Sequence, residues 1–131
     1  MEDTRGNKRR VLVGPVCPSP TSPFYAWLDG ATVSPGTHQD WEIVIPPDGM
    51  IYGISRFTSC QTPPNWHYAR VLLNGSDVWV SYGNFYSNWN PGEGNHYGFR
   101  YGDIITVRMI NVLSYDLYMY WELDVYRWME Q

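Results

Sequence analysis

The chain has 131 residues, a formal net charge of −4 and 17% charged side chains, while another 17% of it is aromatic. That length suits one domain that buries most of its unfolded surface without a metal or a set of disulfides. The acidic balance argues against broad nucleic-acid contact, and no run reaches the roughly 18 apolar residues of a membrane span, so neither nucleic acid nor a membrane is expected as a partner.

At the N-terminus, Arg5, Lys8, Arg9 and Arg10 place four of the nine positive charges within ten residues. From residue 11 onward, five Arg face eleven Asp and Glu, a balance of −6. The chain therefore reads as an acidic body with a basic arm. Such an arm is either a solvated terminus or a docking element for an acidic neighbour, a second copy of the same body included. Four charges are too few to argue for nucleic acid. Behind the arm, Pro15, Pro18, Pro20 and Pro23 predict a stiff, extended connector. The expected organisation is an arm and connector over residues 1–22 and a β-sandwich domain over 23–131. Gly14 and the prolines interrupt any apolar h-region, so no secretory signal is expected here: either the protein is made and used in the cytoplasm, or a signal was removed and Met1 added. Cys17 and Cys60 belong to no CxxC spacing. They either pair, stapling the N-terminal segment to the body, or remain two buried thiols.

Beyond the connector the chain reads as strands and turns. Apolar residues never hold helical spacing for three turns, whereas period-two alternation recurs. Short strands are predicted at Arg10 to Val13 and Phe24 to Leu28. Trp41, Ile43 and Ile45 then alternate with Asp40, Glu42 and Val44 until Pro46-Pro47-Asp48-Gly49 forces a turn. Met50 to Thr58 resumes as a strand. Tyr68 to Leu73, Asn74-Gly75 and Asp77 to Tyr82 form the strongest hairpin signal in the chain. The same Asn74-Gly75-Ser76 stretch matches a glycosylation sequon but is read as a turn. A short strand around His96 to Phe99 precedes Ile104 to Ile110, which is rich in β-branched residues. The last strand sets Leu117, Met119, Trp121, Leu123 and Val125 on one apolar face. Tyr118, Tyr120, Glu122, Asp124 and Tyr126 form a half-exposed face opposite. Eight or nine short strands with turns every eight to twelve residues predict an all-β, antiparallel sandwich of jelly-roll type.

Seven Trp, eleven Tyr and four Phe exceed what one small core needs, and aromatic residues dominate interfaces as well as cores. Two loops carry rings that the strands do not explain. Gly83 to Gly98 holds Phe85, Tyr86, Trp89 and Tyr97 among four Asn, and a loop of that length is functional or disordered. Cys60 to His67 holds Trp66. These rings either fold back over the sheet, anchor a protein interface, or stack on sugars. Trp66, Phe85, Tyr86, Trp89 and Tyr97 are therefore the candidate ligand- or partner-binding residues.

Catalytic patterns are weak. Glu93 and Glu122 have no link that would make them a glycosidase pair. His38 and Asp40 would supply two metal ligands on one strand face, and a metal needs more. His67 and His96 stand apart from them. There is no nucleophile elbow, phosphate loop or dinucleotide fingerprint. The expectation is a protein without cofactor or metal that is not an enzyme.

Four segments carry a resemblance: Ala31 to Thr37, Trp41 to Gly49, Val71 to Gly75 and Tyr101 to Val107. In their succession the chain resembles the small β-sandwich capsid, decoration and head-fibre proteins of bacterial and archaeal viruses. The resemblance implies a virion structural protein that assembles in the host cytoplasm and reaches neighbouring copies or other virion proteins through a terminal arm. The arm here is Arg5, Lys8, Arg9 and Arg10. The alternative is a carbohydrate-binding module or receptor-binding tip, with a glycan as partner.

Overall fold

A computed structural model describes residues 9–13, 25–62, 67–83, 86–89 and 98–129. Among them the chain forms ten strands and no helix. In order these are β1 (Arg10–Val13), β2 (Tyr25–Val33), β3 (His38–Val44), β4 (Met50–Thr62), β5 (His67–Leu73), β6 (Ser76–Gly83), β7 (Tyr86–Trp89), β8 (Gly98–Phe99), β9 (Ile104–Ile110) and β10 (Leu117–Met129). One sheet runs β1-β3-β9-β5-β6. The other runs β2-β10-β4-β7, with β8 also on β4. All pairings are antiparallel except β1 on β3, which is parallel. The chain crosses from sheet to sheet at nearly every connection, and the two sheets pack face to face over one core.

The elements form where their side chains demand it. Along β3 burial alternates strictly, with Gln39, Trp41 and Ile43 inward. On β9, Ile105, Val107 and Met109 point inward. On β10, Leu117, Met119, Trp121, Leu123 and Val125 are buried, while Tyr118 and Tyr120 stay exposed. Asn74 and Gly75 both take positive φ, 51° and 86°, as the two central residues of a tight hairpin turn require. Asn74 also braces the turn from below: its Oδ1 accepts from Ile104 N at 2.9 Å and its Nδ2 donates to Asp103 at 3.0 Å.

Aromatic rings link the layers. Trp41 of the first sheet meets Trp121 of the second at 5.7 Å between centroids. Trp121 meets Phe57 at 6.3 Å, Phe57 meets Trp79 at 5.3 Å, and Trp79 stacks on Trp89 at 5.7 Å. Trp27, Tyr52 and Phe99 form a second group at the other end. Each such contact adds about 0.5–1.5 kcal/mol beyond its area.

The structure departs from the sequence reading in strand count, ten instead of eight or nine. The stretch Gly83 to Gly98 is not wholly structureless, because β7 lies inside it and pairs with β4 through Phe57↔Trp89 to Cys60↔Tyr86. Likewise Cys60, Gln61 and Thr62 continue β4 and do not open a loop. β4 outruns its expected end because β10, its long neighbour, supplies ladder partners as far as Thr62.

The outer faces of the two sheets differ in chemistry. On the first, Asp40 and Arg108 face each other across β3 and β9 in a two-pronged pair at 2.7 and 2.9 Å. Arg70 binds Asp77 within the β5–β6 hairpin. On the second, β10 presents Tyr118, Tyr120, Tyr126 and Trp128, with a small charged cluster between the two aromatic pairs.

Candidate functional site

The outer face of the second sheet is shaped by glycine. Gly30 on β2 sits opposite Tyr120 in the ladder, two pairs along from Thr32↔Tyr118. A Cβ at Gly30 would stand 2.8 Å from Tyr118 Cζ and 3.0 Å from Tyr120 Cβ, so only glycine lets the Tyr118 ring lie across β2. The same device recurs further along β10. A Cβ at Gly53 would stand 2.9 Å from Tyr126 Cζ and 3.1 Å from the Trp128 ring, and those two rings stack at 5.3 Å.

Around Tyr118 and Tyr120 an open groove of about 570 Å³ runs over β2, β10 and β4. Leu28, Gly30, Thr58, Cys60 and Glu122 are among its other lining residues. Tyr118 is 48% exposed and Tyr120 42%, with their ring centroids 5.9 Å apart. The Tyr120 hydroxyl is held above its ordinary pKa, first by its hydrogen bond with the Cys60 thiol and then by burial. Cys60 is a free thiol.

At one end of the groove the strands bring together Glu122, Asp124 and Arg56. Asp124 is 1% exposed, and Arg56 grips it through Nε at 3.0 Å and a terminal nitrogen at 2.6 Å. The same terminal nitrogen lies 3.5 Å from Glu122. Burial, and then the neighbouring Glu122 carboxyl, push Asp124 up to about 6, against the pull of Arg56. Alternation places Glu122 on the half-exposed face of the last strand and names no partner for it. Its partner Arg56 lies 66 positions away, a distance that alternation cannot bridge.

A second polar cluster closes the opposite end of the domain. Tyr52 donates its hydroxyl proton to Asp48, which also accepts from Met50 N at 2.9 Å. Arg127 packs 4.0 Å above the Tyr25 ring and reaches both Tyr52 and Asp48. Burial opposes the Asp48 charge, but the hydrogen bonds and Arg127 outweigh it and hold the carboxyl below its ordinary value.

The described end of the basic arm lies on its own body. Arg9 binds Glu42 at 2.7 Å. Arg10 lies 3.4 Å from Asp29 and donates to the Gly30 carbonyl at 3.2 Å. Asp29 also accepts from Trp41 Nε1 at 2.8 Å. This acid therefore ties β2 to β3 and to the arm at once. The arrangement covers part of the β2 edge, where an exposed carbonyl row would invite pairing.

Among the loop aromatics, Trp89 packs against the core edge on Trp79. Tyr86 holds the ladder position opposite Cys60. Trp66, Phe85, Tyr97, Arg5, Lys8 and Cys17 lie outside the described residues. Asp40, half of the H-x-D pair with His38, is engaged by Arg108. Among the described residues no group of three potential metal ligands converges. Exposed rings among the described residues include Tyr118 and Tyr120 of β10, on the face that alternation leaves half-exposed.

No protein-family model, no curated protein and no solved structure matches this chain.

Proposed function

We propose that this chain is a non-enzymatic structural subunit of a virus particle, built as a jelly roll, that self-associates through its N-terminal arm. The jelly-roll reading is supported by strand order. With β1 and the two-residue β8 set aside, the sheets run β2-β10-β4-β7 and β3-β9-β5-β6, so first and last strands are neighbours and successive strands alternate between layers at every step but the β5–β6 hairpin. That architecture also serves lectins and cupins, so it does not choose the function by itself.

The observation that carries the assembly reading is the attachment of β1. It is four residues long, parallel, at the sheet edge, and 58% exposed at Val11. Among its described side chains, Leu12 packs on the core. The ion pairs of Arg9 and Arg10 leave both arginine side chains about half exposed and contribute roughly 0–1 kcal/mol each. A strand held this lightly exchanges readily for the same strand of a second copy, which would meet the same Glu42 and Asp29. Acidic bodies repel one another, and a basic strand passed between them offsets that repulsion.

The test is the solution mass of the full chain beside a variant lacking residues 1–10 and a double variant Arg9→Glu, Arg10→Glu. Assembly lost in both, with the melting transition kept, supports the reading. An oligomer of unchanged mass in both removes the arm from it.

A further inference from the structure

We propose that the outer groove of the second sheet, formed by Leu28, Gly30, Thr58, Tyr118, Tyr120 and Glu122, binds a neutral saccharide with Tyr118 as its stacking platform. The inference stands apart from arm-mediated assembly and neither requires nor excludes it.

Three observations carry it. The first is the seat of Tyr118. Its ring leans over the backbone of Gly30, where any Cβ would collide with its Cζ and hydroxyl, yet the residue stays 48% exposed. A ring laid along the sheet in this way offers its other face to solvent, and a flat apolar face is what the C–H side of a pyranose packs against. The second is size. About 570 Å³ falls within the ~300–1,000 Å³ of small-molecule clefts, and the groove is bounded by three strands of a rigid sheet. The third is the polar lining. Glu122 enters the groove with its carboxylate steadied by Arg56 at 3.5 Å. A carboxylate offers about four acceptor positions, so a sugar hydroxyl can share it with the guanidinium. Thr58 and the two phenols add groups that both donate and accept.

The same features argue against other occupants. An anionic ligand would face a body carrying −6 from residue 11 onward, and Arg56 and Arg10, the cations bound to groove residues, already serve carboxylates. A protein surface laid on this face would have to bury Glu122 together with its partner Arg56, a charged pair whose mutual attraction often fails to repay its desolvation. It would also have no use for a glycine floor.

The experiment is calorimetric titration of the full chain with neutral tetrasaccharides of the malto, cello, laminari, xylo, manno and chito series. Concentrations run to about 10 mM, tenfold above a Kd of about 1 mM. At least one series should bind. Tyr118→Ala and Glu122→Gln should each weaken that binding at least tenfold, Tyr118→Trp should retain it, and Tyr101→Ala, 64% exposed elsewhere on the surface, should leave it unchanged. Melting curves check that the variants fold, and Tyr118→Trp keeps the question decidable if Tyr118→Ala does not. The proposal is overturned if no series binds, or if binding survives both Tyr118→Ala and Glu122→Gln. It is equally overturned if no saccharide binds and Tyr118→Ala changes only the solution mass, which would give the face to a second copy.

Discussion

Asp124 offers a quantitative handle on the outer face of the second sheet. The carboxyl is 1% exposed, faces Arg56 on β4 and Glu122 on its own strand, and has Ala26 as its ladder partner on β2. Its pKa is raised from 3.8 to about 6. The folded chain therefore holds the proton more tightly than the unfolded chain does. The resulting stabilisation is full below pH ~4 and is lost as pH rises through ~6. A rise of about two units corresponds to roughly 3 kcal/mol across that window. Asp124→Asn removes the titration and keeps a side chain of the same shape. Arg56 is not stranded by the change, because Glu122 remains beside it. The informative quantity is therefore the difference between parent and variant as a function of pH. Denaturant titrations from pH 4 to 7.5 should show the parent's advantage shrinking by about 2–3 kcal/mol as pH rises. A constant difference, or one that grows toward neutral pH, would refute the burial argument and leave Arg56 as the controlling partner.

Other consequences follow from single contacts. Trp79→Ala breaks the ring chain between Phe57 and Trp89 and should destabilise the fold by about 3–5 kcal/mol in chemical denaturation. Asn74→Ala loses a residue at positive φ and its hydrogen bonds to Asp103 and Ile104, and a loss of about 1–3 kcal/mol is expected in the same assay. Asp29→Asn weakens the hold on Arg10, so amide exchange along β1 should quicken while that of β10 stays slow; equal protection of β1 in both forms would contradict the edge-strand reading. Gly53→Ala should disturb the Tyr126–Trp128 stack, measured as a change in the near-ultraviolet circular dichroism.

Much of the fold is legible in the sequence because one physical rule wrote it. β1 and β9 fall on the residues that composition and alternation assign to them, and β10 keeps its predicted inner face throughout. The Asn-Gly hairpin is equally readable, since few residue pairs tolerate two consecutive positive φ angles. β7 escapes because its four residues sit among Asn and Gly, and only the pairing with β4 makes them a strand. The parallel attachment of β1 to β3 is a tertiary choice that no local pattern encodes. The same holds for the groove. Gly30, Cys60 and Tyr118 lie on three strands, and the reason for glycine at position 30 appears only when the Tyr118 ring is laid over it. Asp124 alternates like a solvent-facing acid, yet it is buried beside Arg56, a partner 68 positions away.

The assembly account stands or falls on the mass of the protein in solution. Light scattering on the full chain at low and high salt, repeated after removal of residues 1–10, addresses it directly. The account expects an oligomer that shrinks as salt screens Arg9 and Arg10 from Glu42 and Asp29, and a folded monomer once the arm is gone. A monomer at both salts, or an oligomer indifferent to losing the arm, would contradict it.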